Sequence, residues 1–334
     1  MTTSSSEATD SVFSSVPSLR RWLKTFAIGL CMGSADATPG ISGGTVALIM
    51  GIYERLIAAI TAITPERARR FLRALTPVEG GVSLRRAVAV LEEVDVWFLL
   101  ALVGGVGTAV VIVARIVHVA SEETPVLLYG ALFGLIGASA VVLLRALSIE
   151  TATHAVAAAS GFVLAFVLSG PASPLGTDGL LVVFLGGAVS VSAMILPGIS
   201  GSLLLVVLGQ YERLSGALTT FVDGLLAVLT GRPAAGLVDA GTVVVTFILG
   251  GLVGLFSISR VIRRALDRNR GATLAFLVAL VVGALRAPIT ELSTREAVTW
   301  TAETIGVFAA IAAVGAVVVL VLDWYAVDLD FEAV

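Results

Sequence analysis

The sequence is poor in the residues that build disulfides, metal centres and soluble surfaces. Cys31 is its only cysteine, and His118 and His154 are its only histidines. A single cysteine excludes an internal disulfide framework and a cysteine-based zinc or iron–sulfur site. Charged residues make up 13% of the chain, about half their share in an average soluble domain. This scarcity of charge argues against a soluble globular protein.

The sequence also lacks the motifs of several enzyme classes. It contains no GxxxxGK[ST] phosphate-binding loop, so this chain alone is not an ATP-driven pump. No histidine lies near Ser42 or Ser200 to act as a base, and no paired-histidine or aspartate-rich metal motif is present. We therefore predict a protein that is not an enzyme and that holds no metal or organic cofactor.

Apolar residues dominate what is present. They account for 57% of the 334 residues, and the mean hydropathy is +1.02. Several apolar runs approach the length of about 20 residues that spans a bilayer. The sequence thus predicts an all-α polytopic membrane protein with apolar segments at 22–37, 41–53, 96–117, 125–144, 153–169, 179–195, 199–209, 241–259, 272–287 and 301–323.

One pentapeptide, PGISG, occurs twice, at 39–43 and at 197–201. The match extends to a later glycine and to Tyr-Glu-Arg-Leu, which begins at Tyr53 in the first copy and at Tyr211 in the second, always 158 positions apart. A coincidence of this length at one constant offset indicates that the chain consists of two related halves.

Each PGISG interrupts an apolar stretch. Proline removes a backbone donor and glycine permits unusual dihedral angles, so each copy predicts a break between two helical pieces. The piece at 41–53 would span about 20 Å, too short for a hydrocarbon core of about 30 Å. We therefore predict a re-entrant helical hairpin broken at each PGISG, with three transmembrane helices following it in each half.

Three crossings per half is an odd number, so the two halves are predicted to be inverted-topology repeats. The expected organisation is a disordered tail at 1–19, a first repeat at 20–169, an inverted repeat at 170–325 and a C-terminal tail at 326–334. Arginines cluster in the basic segment 64–94 and at 260–270. The positive-inside rule then predicts that both termini are cytoplasmic, and we expect the protein to lie in the plasma membrane.

The start of a helix inside a membrane is suited to binding an anion. Its first N–H groups have no partner within the helix, and glycine lets a phosphate approach the backbone closely. Hydroxyl groups and arginines further along would add donors and positive charge. The predicted binding residues are Gly40, Ile41, Ser42, Gly43, Gly44, Thr45 and Arg55 in the first copy, and Gly198, Ile199, Ser200, Gly201, Ser202 and Arg213 in the second.

Three acidic residues accompany these sites. Glu54 and Glu212 adjoin the two arginines, and Asp36 precedes the first PGISG, where the second copy has Met194. An acidic group at membrane depth is costly unless it has a role, so all three are candidates for carrying a proton or coupling a cation. For Asp36, a role as a helix cap stays open.

Other residues have structural interpretations. The glycine pairs Gly104-Gly105 and Gly250-Gly251, which we align as equivalents in the two halves, are expected to allow close helix packing. Tyr53 and Tyr211 are interpreted as aromatics at the membrane interface, and both histidines as bystanders. The arginines between 67 and 86 are expected to face anionic lipid rather than nucleic acid.

At its two PGISG…YERL copies the sequence resembles the polyprenyl-phosphate transporter family, whose hallmark is a paired PGISG with an acidic residue before the first copy. The resemblance covers about 20–325. It implies a flippase that returns a polyprenyl monophosphate, undecaprenyl or dolichyl phosphate, from the outer to the cytoplasmic leaflet for reuse in envelope glycan synthesis. The implied partners are that lipid and other membrane lipids. The exact lipid, a coupling ion (H+ or Na+) and homo-oligomerisation stay open.

Two other functions stay open on the residues alone. A small-anion channel or ion-coupled transporter could use the same broken-helix anion site. A structural or lipid-binding membrane protein could use PGISG only for packing. Replacement of Ser42 and Ser200 together by alanine, or of Arg55 alone, would then leave its function intact.

Overall fold

A computed structural model describes residues 18–75, 84–145, 147–170, 179–194, 200–296 and 298–332. These residues form helices and connecting turns, without a strand among them, which confirms the predicted all-α class. The helices of the first half are α1 (Leu19–Ala37), α2 (Gly43–Ile49), α3 (Tyr53–Ala62), α4 (Pro65–Leu75), α5 (Leu84–Glu93), α6 (Val96–Glu123), α7 (Pro125–Arg145) and α8 (Ala152–Leu168). Those of the second half are α9 (Leu180–Ala193), α10 (Gly201–Val207), α11 (Tyr211–Leu229), α12 (Leu237–Arg268), α13 (Arg270–Ala284), α14 (Arg286–Ser293) and α15 (Ala302–Glu332).

Several of these helices are long and apolar enough to cross a membrane. Within the described residues, five segments meet that criterion: Val96–Glu123, Pro125–Arg145, Leu237–Arg268, Arg270–Ser293 and Ala302–Tyr325. They correspond to five of the six predicted transmembrane helices. The sixth, α8, has 17 residues and is also apolar. The chain is therefore a multi-pass membrane protein by the length and composition of its helices.

The two PGISG copies are followed by the same local structure. Helices α2 and α10 each have seven residues, and α3 and α11 begin after them at Tyr53 and Tyr211. Gly51 and Gly209 end the short helices with φ of 66° and 64°. The next amide bonds back five residues in both copies, from Ile52 to the Ala47 carbonyl and from Gln210 to that of Leu205. This is the Schellman cap, which favours glycine because of its positive φ.

The first short helix and its successor form a sharply bent pair. Gly43–Ile49 and Tyr53–Ala62 are inclined by 116°, as a broken span or a re-entrant loop would require. The two copies then diverge, because α3 ends at Ala62 whereas α11 continues to Leu229. Pro65 follows α3 closely, and a proline disfavours helical geometry in the residue before it; the next proline after α11 is Pro233.

Contact clustering divides the chain into two units. The first comprises residues up to Ser34 together with Val46–Ala109, and the second comprises Ala35–Thr45 together with Val110–Val334. Within the first unit, α1 packs on α6 through glycines: a Cβ on Gly105 would overlap the Phe26 carbonyl oxygen, and one on Gly29 would overlap that of Leu102. Contact this close explains why both positions are glycine.

The second unit contains an equivalent pair, α9 and α12. A Cβ on Gly250 would overlap the Phe184 carbonyl oxygen, and one on Gly187 would overlap that of Phe247. Close packing is thus confirmed for Gly105 and Gly250, and Gly251 also has no room because Val191 lies 2.8 Å from its added Cβ. A Cβ on Gly104 would meet only the Phe26 ring, at 3.8 Å, so the expectation was wrong there. The equivalent of Gly250 is Gly105.

In the second unit, the remaining long helices of one half of the sequence pack on helices of the other half. Helix α7 packs against α15, and α8 packs against α13. Each contact joins the second transmembrane helix of one half to the third of the other. Glycines bring both pairs close, since an added Cβ on Gly134 would overlap the Ala312 carbonyl oxygen and one on Gly161 that of Phe276.

Two further elements extend beyond the predicted apolar segments. Helix α13 ends at Ala284, within the predicted segment 272–287, and α14 begins at Arg286 and runs to Ser293. The predicted tail from 326 begins as a continuation of α15, which runs to Glu332. Most of the predicted N-terminal tail, residues 1–17, lies outside the described residues.

Candidate functional site

The first PGISG forms a turn between α1 and α2. Gly40 has a φ of 92°, a value that suits glycine. Beyond this turn the Asp36 carboxylate reaches forward, and Oδ1 accepts a hydrogen bond of 2.7 Å from the Gly43 amide. A Cβ on Gly43 would overlap that carboxylate. Asp36 therefore has the geometry of a helix cap, which is the alternative role that the sequence left open for it.

The second copy has an apolar counterpart of this contact. A Cβ on Gly201 would lie 2.8 Å from Cγ of Met194, which replaces Asp36 in the repeat. Ser200, 3% exposed, shares a hydrogen bond of 2.9 Å with Ser202 between their hydroxyl groups. The predicted residues Gly198 and Ile199 lie outside the described residues.

Two side chains from other helices of the second unit form hydrogen bonds to the backbone at the first PGISG turn. The Ser139 hydroxyl donates to the Gly40 carbonyl at 2.7 Å, and the Tyr211 hydroxyl donates to the Ala37 carbonyl at 2.7 Å. These bonds satisfy backbone acceptors that the turn leaves without helical partners. Tyr211 is only 9% exposed, so its interpretation as an interface aromatic was wrong.

Tyr211→Phe is expected to lower the free energy of unfolding by about 1–3 kcal/mol, because it leaves the Ala37 carbonyl without its partner. The midpoint temperature of unfolding in detergent measures this. Tyr325→Phe makes the same change on a ring that is 55% exposed and should have no effect. Equal midpoints for the two variants would contradict the role assigned to Tyr211.

A cavity of about 750 Å³ adjoins the second Tyr-Glu-Arg. Its wall combines apolar side chains with charged and polar ones. The polar residues are His118, Glu122, Tyr129, Ser169, Tyr211, Glu212, Arg213, Thr290, Glu291 and Thr294. A cavity wall of mixed character can contact a charged group and an apolar chain together.

Glu212 is the centre of a polar cluster at this cavity. Its carboxylate accepts hydrogen bonds from Arg295 Nη2, at 2.7 Å, and from the Tyr129 hydroxyl. The Arg295 guanidinium also lies 5.5 Å from the centre of the Tyr129 ring. Pairing with the Arg295 guanidinium favours the ionised form of this carboxylate.

The two predicted arginines have different surroundings. Arg213 lines the cavity, with Nη1 3.4 Å from the Gly179 carbonyl and from Gln210 Oε1. In the first unit, Arg55 pairs with Asp95 at 2.7 Å and lies 4.2 Å from the centre of the Phe98 ring. Each arginine thus has a contact to a residue outside its own Tyr-Glu-Arg motif.

The other predicted residues remain close to the breaks. Ile41 packs on the apolar cluster of Leu135, Ala138 and Val319, so its side chain has a packing role. Ser42, Gly44 and Thr45 follow along the turn and the start of α2. Glu54 lies in the first turn of α3. The described residues hold no group of three or more histidine, cysteine, aspartate or glutamate side chains suited to a metal.

Sequence reasoning missed Tyr129 and Arg295. Each is 83 residues from Glu212, and neither belongs to the PGISG or Tyr-Glu-Arg repeats. His118, interpreted as a bystander, is part of the cavity wall. A local motif cannot reveal such partners, because they meet only when α7, α11 and the end of α14 come together.

Comparison with known proteins identifies the family. The family model described as undecaprenyl phosphate translocase-like matches residues 32–321. The chain belongs to this family. The matched range contains both PGISG copies and the residues of the Glu212 cluster.

Two relatives of this chain are named polyprenyl-phosphate transporters. The protein of Vibrio cholerae is 32% identical over 266 residues, covering 79% of this chain and 76% of that protein. The protein of Staphylococcus aureus is 27% identical over 287 residues, covering 82% and 88%. No solved structure matches the chain.

Proposed function

We propose that this protein is a flippase for a polyprenyl monophosphate, returning this lipid carrier from the outer to the cytoplasmic leaflet of the plasma membrane. The observation that carries the proposal is the family match over residues 32–321, together with two relatives named polyprenyl-phosphate transporters. The lipid would pass through unchanged and be reused in envelope glycan synthesis, so the protein would be a transporter and not an enzyme.

The cavity in the second unit supports a substrate of this kind. A polyprenyl monophosphate joins an anionic headgroup to a long apolar tail, and the cavity wall combines Arg213 and Tyr129 with apolar residues such as Leu132 and Val206. We expect two anion sites, one reached from each face of the membrane. At each site the headgroup would be bound by the residues of one PGISG break, 40–45 or 198–202, and neutralised by the arginine of the Tyr-Glu-Arg motif that follows it.

Alternating access between two inverted repeats would provide the mechanism. Three observations support a repeat: the constant offset of 158 residues, the matching caps at Gly51 and Gly209, and the exchange of partners among α7, α8, α13 and α15. In the proposed arrangement each PGISG turn is the tip of a re-entrant hairpin, and both termini are cytoplasmic.

Inward transport of an anion needs a coupling device. A membrane potential that is negative inside opposes the inward movement of one negative charge by about 2.3 kcal/mol per 100 mV. Co-transport of H+ or Na+ would offset this cost. Asp36, Glu54 and Glu212 are the proposed coupling groups, and Glu212 is the one that lines the cavity.

Reconstituted proteoliposomes test the proposal. A labelled polyprenyl phosphate is placed in one leaflet, and its movement is followed with and without a pH gradient. Arg213→Ala is expected to slow transport by about ten- to a hundredfold, since a hydrogen bond to a charged group contributes about 1.5–3 kcal/mol. Arg55→Ala tests the equivalent arginine of the first copy.

Arg115→Ala is the matched control. Arg115 pairs with the acidic residue Asp223 at 2.7 Å, but its side chain is 59% exposed. The Arg115→Ala variant should therefore transport the lipid as fast as the wild-type protein. Failure of the wild-type protein to move lipid under any gradient would refute the flippase. Flux of a soluble anion in the same vesicles would then favour a small-anion transporter.

A further inference from the structure

We propose that the Arg295 guanidinium binds the substrate phosphate, and that the Glu212 carboxylate occupies this guanidinium between transport events. Substrate binding would then exchange a carboxylate for a phosphate on one arginine. The inference rests on the proposed function and adds two residues to it, Arg295 and Tyr129, which lie outside the repeated motifs.

The geometry of Glu212 is that of an anion in a binding site. One carboxylate oxygen accepts from Arg295 Nη2 at 2.7 Å, and the other accepts from the Tyr129 hydroxyl. The same nitrogen lies 3.2 Å from the Tyr129 hydroxyl oxygen. A phosphate oxygen can replace a carboxylate oxygen on these donors, because both anions accept charge-assisted hydrogen bonds from a guanidinium.

The guanidinium also has an unused donor. Arg295 Nη1 donates to the Ser121 carbonyl at 2.5 Å, whereas the buried Nε has no hydrogen-bond partner among the described residues. A buried donor without an acceptor is costly. Nε–H and one Nη2–H point the same way from the planar guanidinium. A phosphate has three acceptor oxygens and could therefore accept from both Nε and Nη2 of Arg295. The Glu212 carboxylate accepts only from Nη2.

The cavity gives a ligand access to this cluster. Glu212 and Tyr129, the two residues that contact Arg295 Nη2, both line the cavity of about 750 Å³. Arg295 itself is not part of the wall. Displacement of the Glu212 side chain would therefore bring the Arg295 donors within reach of an anion in the cavity.

The exchange would be linked to a proton. Once a phosphate takes Arg295, Glu212 loses its positive partner and gains a negative neighbour, and both changes raise its pKa. Glu291 of α14 is a second carboxyl group in the same cavity wall. The remaining groups are the Tyr129 and Ser121 hydroxyls, His118 and Glu122 of α6, and Arg213 on the helix of Glu212. Binding of a singly charged headgroup with uptake of one proton would be electroneutral.

Binding measurements with farnesyl sulfate test this exchange, because a sulfate ester does not titrate near neutral pH. Calorimetry on the purified full-length protein at pH 6 and pH 8 gives the affinity, and buffers of different ionisation enthalpy give the protons taken up. The wild-type protein should bind farnesyl sulfate more tightly at pH 6 than at pH 8. Its affinity should change by up to about tenfold per pH unit, which is the slope expected for the uptake of one proton. The same calorimetry with farnesyl phosphate gives the affinity for a phosphate headgroup, as in the proposed substrate.

Variants separate the two roles. Glu212→Gln should bind at least about tenfold more tightly than wild type at pH 8 and lose the linked proton, because the competing charge is gone. Arg295→Lys should bind about tenfold more weakly at both pH values, because lysine lacks the fork. A double variant, Glu212→Gln with Arg295→Gln, removes both charges of the ion pair, so neither residue is left as an unpaired charge. It should also bind weakly, because the guanidinium is absent.

Asp223→Asn is the matched control, since it neutralises the acid of another arginine pair with the same 2.7 Å separation; it should behave as wild type. An unchanged pH slope in Glu212→Gln, or wild-type affinity in the double variant, would overturn the exchange while leaving lipid transport intact. Wild-type protein that neither binds these anions nor moves lipid would refute the proposed function, and the exchange with it.

Discussion

Gly40→Ala is expected to lower the free energy of unfolding by roughly 2–5 kcal/mol and to abolish transport. A side chain at a φ of 92° is strained, which costs about 1–2 kcal/mol. An added Cβ would also lie 2.6 Å from the Ser139 hydroxyl oxygen and 2.9 Å from the Leu135 carbonyl oxygen. Overpacking of this kind adds about 1–3 kcal/mol, and the hydrogen bond from Ser139 to Gly40 would be displaced.

Gly44→Ala makes the same change four residues later. Its added Cβ would meet only the Ser42 hydroxyl oxygen, at 3.5 Å, and alanine is a better helix former than glycine in α2. Thermal unfolding of both variants in detergent should therefore separate them clearly. Equal destabilisation would contradict the account of the first turn. A normally folded Gly44→Ala protein with slow lipid transport would instead support close approach of the headgroup at this glycine.

Gly134→Ala is expected to be the most damaging alanine substitution among the glycines of α7, lowering the free energy of unfolding by about 3 kcal/mol. The added Cβ would overlap the Ala312 carbonyl oxygen and lie 2.7 Å from the carbonyl carbon. These are backbone atoms, so no change of side-chain rotamer can relieve the contact. Helices α7 and α15 would have to separate along their length.

Gly137→Ala is the control on the same helix, because its added Cβ would meet only a methyl group of Leu285, at 3.6 Å. Denaturation of the two variants in detergent, followed by circular dichroism or by fluorescence of the tryptophans, gives the comparison. If Gly134→Ala unfolds no earlier than Gly137→Ala, the close α7–α15 contact is not an important source of stability.

The sequence contains enough local information to predict the helical pieces around both breaks. A proline, a run of glycines and an apolar stretch of limited length place the turn before α2, and the glycine before Tyr-Glu-Arg places the end of the short helices. Close packing at Gly105 and Gly250 was predictable for the same reason, since glycines within apolar helices commonly mark a contact.

Partners that are distant in sequence could not be predicted. The role of Tyr211 depends on a carbonyl 174 residues earlier, at Ala37. The environment of Glu212 depends on Tyr129 and Arg295, which no repeat or spacing connects to it. These features arise from packing between helices and not from local propensity.

The packing of α7 on α15 and of α8 on α13 also explains why both halves are needed in one polypeptide. Each second helix packs on a third helix from the other half, so a chain of half this length would lack the surface that covers it. Only another copy of the chain could supply that surface, and the contact would depend on protein concentration. Joining the two halves in one polypeptide makes the partner permanently available at a high effective concentration. The covalent link between the halves therefore makes these contacts independent of protein concentration.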